Sequence, residues 1–300
     1  MARSRPERAR AAGLPEGTDA LLRRALREDR FGSDVTTLTL FPRRVPARAV
    51  VTAQAPGVAS GVAAAARVAQ IAGLTPRRAV ADGSPVRGGT PVLVVEGDAR
   101  RILSAERTML NFLMHLSGIA TATRRAVRAV GRTGARMEVR GTRKTLPGLR
   151  DLEKQAIVHG GGRPHRRDLA TGILLKNNHL ALLPVPEALA RLRGRRGPRP
   201  RIEVEVRRLG EARAALRAGA EELLVDNLRP LPAQHLISAI RSLPGGAKVL
   251  VEVSGGVTPE NIARYARSGA DAASLGSLTH SARALPFHLT LLPPPRRTSR

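Results

Sequence analysis

The sequence predicts an α/β protein whose second half is a series of strand–helix units, and three observations carry that prediction. Between Ile202 and Leu275, short apolar strand segments alternate with amphipathic helical patterns. Polar residues close those segments at Glu205, Asp226, Glu252 and Gly276, which are 21, 26 and 24 residues apart, the period of a βα unit. Aromatic residues make up only 2% of the chain and tryptophan is absent, so Ala, Val, Leu and Ile must build the core, which suits helices packed closely on parallel strands. Units of this kind in series form either a (β/α) barrel or a doubly wound sheet.

The elements follow in order. The first 14 residues are basic and polar, with no apolar run behind them, and read as a disordered tail and not a signal peptide. Thr18 to Arg30 sets Leu21, Leu22, Ala25 and Leu26 on one stripe, an amphipathic helix that Thr18 would cap. Gly32 to Thr39 reads as a turn and a short extended piece, Ala47 to Ala53 as a strand, and Gly61 to Ala72 as a core helix. Arg77 to Ala81 and Thr90 to Glu96 are extended, separated by the turn signal DGSPVRGG. This mixture predicts an α+β domain over about residues 15–110. Ile102 to Val130 is helical, with Gly118 as a break. Strands then fall at Ile202 to Val206, Glu222 to Val225, Val249 to Val253 and Ala272 to Leu275. Helices lie between them at Leu209 to Arg217, Pro232 to Leu243 and Pro259 to Arg267.

The net charge of +27 would ordinarily suggest nucleic acid or an acidic membrane. The arginines, however, are spread over the whole chain among Ala and Gly, aromatic stacking groups are scarce, and no nucleic-acid reading motif occurs. Neither a specific nucleic-acid partner nor a membrane span is expected. Only four cations are lysines: Lys144, Lys154, Lys176 and Lys248. Where Arg is the default cation, a retained Lys marks a place that suits a compact, rotatable ammonium. The lack of cysteine removes disulfides, thiolate nucleophiles and Cys-based zinc sites, and is compatible with the cytoplasm. His165 and His179 are 14 residues apart and no HExxH spacing occurs, so a histidine zinc site is not indicated.

The chemistry concentrates between Gly141 and His179. Arg143, Lys144, Arg150, His165, Arg166, Lys176 and His179 sit there among glycines and prolines, a pattern for a multiply charged anion and not for a solvated helix face. Downstream, alternation in Ile202 to Val206 puts Glu203 and Glu205 on one face and the valines on the other. Glu205 and Asp226 read as ligands for ribose hydroxyls and a divalent metal, Mg²⁺, beside a phosphate; Glu203 also fits an ion pair with an arginine. Ser254-Gly255-Gly256, with Thr258 as a helix cap, and the loop Gly276 to Ser281 are glycine turns suited to phosphate. Neither matches a P-loop or a dinucleotide fingerprint. Arg107 stands beside Glu106 at a helix start, and the pattern alone leaves an exposed ion pair and a functional cation equally open.

The segments ERTMLNFLMHLSGIAT, TRKTLPGLRDLEKQA, GGGRPHR, LLKNNH, EVEV, LLVDN, VSGGVTPENI and GSLTHSA, in this order and spacing, resemble quinolinate phosphoribosyltransferase over about residues 18–292. The resemblance implies an open (β/α) barrel over residues 116–282 and an N-terminal α/β sandwich domain over 15–115 joined by 283–292, leaving 293–300 as a frayed tail. It implies phosphoribosyl transfer from phosphoribosyl pyrophosphate to quinolinate with decarboxylation, with Mg²⁺, in a homodimer to which Arg107 contributes across the interface. Arg143, His165, Arg166 and Lys176 match positions around the dicarboxylate. Thr142, Lys144, Glu205, Asp226, Ser254, Gly255, Gly256, Gly276, Ser277 and His280 match positions around the phosphoribosyl donor. Lys144, Lys176, Glu205 and Asp226 would take the catalytic parts. Three positions depart from the family pattern: Gly141 and Asn177 stand where Asp is usual, and Pro164 where Asn is usual. They leave room for a related phosphoribosyltransferase with a different acceptor.

Overall fold

The computed structural model describes residues 13–194 and 201–292. The expected tails, residues 1–14 and 293–300, lie outside the described residues except for Gly13 and Leu14. In chain order the first elements are α1 (Thr18–Glu28), α2 (Val35–Leu40), β1 (Pro46–Ala53), β2 (Gly57–Val58), α3 (Val62–Ile71), β3 (Thr75–Arg78), β4 (Pro85–Val86), β5 (Pro91–Asp98) and the 33-residue α4 (Ala99–Gly131). There follow β6 (Glu138–Arg140), α5 (Arg150–His159), β7 (Ile173–Leu175), α6 (Asn177–Leu180), α7 (Val185–Arg193), β8 (Ile202–Val206), α8 (Leu209–Arg217), β9 (Glu222–Asp226), α9 (Pro230–Arg241), β10 (Leu250–Ser254), α10 (Ile262–Ala266), β11 (Ala272–Ser274), α11 (Ser277–His280) and β12 (Phe287–Leu292). The chain divides into two compact units, one running to Ala120 and resuming at Ala284, the other spanning Thr121–Arg283.

In the first unit the antiparallel sheet runs β12-β1-β5-β3. Alternation in β1 buries Ala49, Val51 and Ala53, which join Leu22, Val68, Leu93, Ile102 and Met109 in one core. Several local expectations are corrected here. Gly17, in the left-handed region at φ 78°, caps α1 in place of Thr18, which is the first helical residue. Gly32 to Thr39 is not extended: Asp34 accepts a hydrogen bond from the Thr37 N–H at 3.0 Å and caps α2, so a local cap overrides the β-branched sequence VTTLTL. The third strand spans Thr75–Arg78, earlier than expected. Gly118 does not break α4; one glycine costs a helix about 1 kcal/mol, and its neighbours Leu116 and Ile119 are fully packed.

The second unit holds the parallel sheet β6-β11-β10-β9-β8-β7, with β6 and β7 as its edges among the described strands, an open (β/α) arrangement. Period-two alternation sorts each strand into two faces. Val204, Val206, Leu223, Val225, Val251 and Val253 pack under the helices with Ala212, Ala215, Ile237 and Ile240, and burial of each branched side chain contributes roughly 1.5–3 kcal/mol. The opposite face carries Glu203, Glu205, Leu224, Asp226, Glu252 and Ser254. Register sets Asp226 beside Ser254 at the carboxyl edge. Glu252 does not close its strand, as the spacing suggested: it lies mid-strand, fully buried, and Ser254 is the end residue. The helix expected from Pro259 begins only at Ile262, and Asn261 replaces Thr258 as its cap. Asn261 Oδ1 accepts from the Thr258 N–H at 2.9 Å and its Nδ2 donates to the Gly256 carbonyl at 2.9 Å, closing a turn where a helical turn was expected.

Candidate active site at the carboxyl edge of the sheet

A cavity of about 350 Å³ opens at the carboxyl edge of this sheet. Arg143, Lys144, His165, Arg166 and Lys176 line it, as do Thr142, Glu205, Asp226, Ser254, Gly255, Gly256, Gly276, Ser277 and His280. Thus the fold brings together strand ends and loops drawn from the whole second unit. Arg107 lies in the first unit, exposed on α4.

The cationic wall follows from the loops after β6 and before β7. Arg143 Nε is buried with no hydrogen-bond partner. Beside it, burial and then the Arg143 charge hold the Arg166 guanidinium below its ordinary range, while Arg166 Nη1 donates to the Gly172 carbonyl at 3.0 Å. Two crowded, partly desolvated guanidiniums cost free energy until an anion arrives. Lys176 projects from the end of β7, and its backbone N–H donates to His179 Nδ1 at 3.0 Å. The loop holding Lys144 is pinned by the Thr279 hydroxyl, which donates to the Lys144 carbonyl at 2.7 Å.

The opposite wall is acidic. Burial first, and then Asp226, push the Glu205 carboxyl above its usual range. Arg207 spans the two, with Nη2 at 2.7 Å from Asp226 and 3.8 Å from Glu205. Two neighbouring hard oxygen donors fit a divalent cation such as Mg²⁺ once Arg207, whose side chain is 51% exposed, swings off them into solvent. The glycine turns form the floor. Gly255 and Gly256 have φ of 82° and 66°, and a Cβ at Gly255 would come 2.8 Å from the Asn227 backbone, so only glycine fits without strain. A Cβ at Gly276 would meet Lys144 Cδ at 2.8 Å and His280 Nε2 at 3.0 Å, so this glycine lets both side chains pass.

The departing positions acquire physical accounts. A Cβ at Gly141 would overlap the Ile157 side chain, which fills the space any larger residue would need. Asn177 Nδ2 donates to Glu205 Oε1 at 2.6 Å, a bond that an ionised Asp could not make. Pro164 lines a different cavity, at the amino edge of the sheet.

Sequence reasoning missed Lys154 as a member of this neighbourhood. It is buried on α5 and its Nζ donates to the His165 carbonyl at 3.0 Å. Burial and the Arg150 charge lower its pKa to about 8. The signal was available in the rarity of lysine. Glu252 was also misplaced, and His165 Nε2 lies 3.0 Å from Glu203 and 3.7 Å from Glu252.

Unmatched cations facing paired carboxylates over glycine turns define a protein that holds polyanionic ligands at the carboxyl edge of an open (β/α) barrel. Comparison with known proteins is more specific. The family models "Quinolinate phosphoribosyl transferase, N-terminal domain" and "C-terminal domain" match residues 34–117 and 119–290. The chain is 41% identical over 276 residues to nicotinate-nucleotide pyrophosphorylase (carboxylating) of Mycobacterium leprae, covering 90% of this chain and 95% of that one. It is 35% identical over 284 residues to the Rattus norvegicus protein of the same name, covering 92% of each. Among solved structures, NadC from Streptococcus pyogenes superposes with a TM-score of 0.85 at 35% identity, over 94% of this chain and 99% of that one. The chain belongs to the quinolinate phosphoribosyltransferase family.

Proposed function

We propose that this protein transfers phosphoribosyl from phosphoribosyl pyrophosphate to quinolinate with loss of CO₂, giving nicotinate mononucleotide and pyrophosphate for NAD synthesis. The observation that carries the reading is the buried, unpartnered Nε of Arg143 beside Arg166, a pair of guanidiniums matched to two adjacent carboxylates. Arg143, His165, Arg166 and Lys176 hold the dicarboxylate and aim the ring nitrogen at ribose C1. Arg107 of a second copy completes this wall in a homodimer.

Lys144, Thr142, Ser254, Gly255, Gly256, Gly276, Ser277 and His280 receive the phosphoribosyl donor. As pyrophosphate leaves, positive charge develops at C1, and Glu205 and Asp226 stabilise it electrostatically. The same two carboxylates would hold Mg²⁺, which would supply charge neutralisation for the leaving pyrophosphate. After N-glycosylation the ring nitrogen carries a positive charge; the bond to the 2-carboxylate breaks, CO₂ departs, and its electron pair stays on C2 until protonated. Lys176 supports the charge at that step. Among the described residues no helix is long and apolar enough to cross a membrane. Incubation with quinolinate carrying labelled 2-carboxylate, phosphoribosyl pyrophosphate and Mg²⁺ is expected to release labelled CO₂ and pyrophosphate in equal amounts. Turnover of nicotinate or another pyridine acid with none of quinolinate would sink the reading.

A further inference from the structure

Beneath the cationic wall, between the two edges of the sheet, a polar cluster lies behind His165. Glu252 on β10 is fully buried and Glu203 on β8 is 4% exposed. One oxygen of each, Oε1, has no hydrogen-bond partner. His165 Nε2 faces both, at 3.0 Å from Glu203 Oε2 and 3.7 Å from Glu252 Oε1. From β6, Arg140 Nη1 reaches Glu252 Oε2 at 2.7 Å while Arg140 shares itself with Glu138 at 3.0 Å and Glu222 at 3.6 Å. On the far side Lys154 holds the His165 carbonyl, and Arg166 follows in the chain. His165 also lines the carboxyl-edge cavity, so one ring connects the cluster to the ligand pocket.

The cluster offers two places for one proton, the ring or the pair of carboxylates. Burial, and then the Glu203 charge, push the Glu252 carboxyl above its usual range; the His165 ring and the Arg140 guanidinium at 2.7 Å work against that rise and favour the arrangement with the proton on the ring. Arg140 also disfavours a metal ion at this trio of donors, since a cation placed there would face a guanidinium on the same carboxylate. We propose that Glu252 is a positioning residue for the acceptor side of the site: with Glu203 it holds the His165 ring by Nε2 as an imidazolium, so that Nδ1 presents an N–H to the dicarboxylate. This rests on the assignment of His165 to the quinolinate pocket. A neutral ring bound through Nε2–H would turn a lone pair to that carboxylate. Burial opposes the charged ring, but the Glu203 hydrogen bond and the Glu252 and Glu203 charges outweigh burial and Arg140, so the His165 pKa is raised.

The test measures the cluster and the pocket separately. Histidine-labelled wild-type protein without substrate is titrated by NMR, with the His165 signal assigned from its loss in His165→Gln. The resonance is expected to titrate above the ordinary 6.5, and in Glu252→Gln its midpoint falls. In steady-state assays, KM for quinolinate is expected to rise as pH passes the His165 midpoint while kcat changes less. Glu252→Gln starts that rise at lower pH, so that above both midpoints its KM exceeds that of the wild type by about tenfold if the midpoint has dropped by about one pH unit, with KM for phosphoribosyl pyrophosphate within about twofold. Wild-type His165 titrating at or below 6.5 overturns the proposal even if Glu252→Gln fails to fold. So does an unchanged pH profile in folded Glu252→Gln, or one zinc ion per chain that survives dialysis against EDTA and is lost in Glu252→Gln. If His165 titrates high but His165→Gln leaves KM for quinolinate unchanged, the pocket assignment fails instead, and the proposal with it.

Discussion

The two edges of the parallel sheet are made by the same strands, yet they differ in how their charges are matched. At the amino edge a cavity of about 620 Å³ is lined by Glu138, Glu203, Glu222 and Asp271 and by several arginines. Each of those acids has a cationic partner, although Glu203 keeps one buried oxygen, Oε1, without a hydrogen bond: Glu138 pairs with Arg140 and Arg163, Glu203 with His165, Glu222 with Arg201, and Asp271 with Arg241. At the carboxyl edge the cavity is smaller, about 350 Å³, and one of its cations, Arg143, keeps a buried Nε with no hydrogen-bond partner. Size therefore does not mark the site. An unmatched cation does, because a desolvated guanidinium without a partner is stabilised by an anionic ligand that supplies one.

The sharpest way to break this comparison is Arg143→Ala. Truncating one side of a buried charge pair costs about 2–5 kcal/mol, so kcat/KM for quinolinate should fall by roughly 30-fold to several thousandfold. Arg143 Nε has no protein partner, so the urea midpoint should hardly move. A loss of less than threefold, measured by initial rates, would mean that the carboxyl edge is not the charged pocket proposed.

Lys154 extends the comparison to pH. Its pKa is lowered from 10.5 to about 8 in the fold. Between those values the unfolded chain binds more protons than the native one, so stability rises with pH there, by at most about 3 kcal/mol over the window. Below pH 8 both states are protonated and the penalty is constant. Urea unfolding from pH 7.5 to 10.5 should show that rise in the wild type and lose most of it in Lys154→Met. An equal slope in both proteins would place the titration elsewhere.

Much of this arrangement was legible in the sequence, and the exceptions share a cause. EVEV alternation identified two inward glutamates, and the glycine turns and lysines pointed to the carboxyl edge, because those signals act over a few residues. The pairs between strands were not legible: Arg140 and Glu252 are 112 positions apart, and only the folded register shows that they meet. Glu252 was read as a strand end for the same reason, since spacing between units does not reveal depth within a strand. The α2 error was local. There Asp34 supplied a cap whose effect outweighed the strand-like sequence that follows it.

A smaller perturbation of the carboxyl edge is Gly255→Ala. At φ 82°, with the added Cβ 2.8 Å from the Asn227 backbone, the loop must strain or shift, at a cost of about 1–3 kcal/mol. The melting temperature should fall by several degrees, and KM for phosphoribosyl pyrophosphate should rise more than KM for quinolinate. Equal rises would detach this turn from the phosphoribosyl half of the site.

The smallest effect belongs to the amino edge. Arg201 pairs with Glu222 at 3.2 Å, but its side chain is 72% exposed, so water screens the pair and its loss leaves Glu222 still within 3.6 Å of Arg140. Exposed pairs of this kind contribute little to stability. Arg201→Ala should therefore leave kcat/KM within about twofold of wild type across the salt range used for assays. A tenfold loss would show that the amino-edge cavity takes part in the reaction, and that internal pairing is not a sign of a silent site. Set against Arg143→Ala under the same conditions, the two substitutions remove the same charge from the same sheet. What differs between them is whether the protein had already supplied the counter-charge.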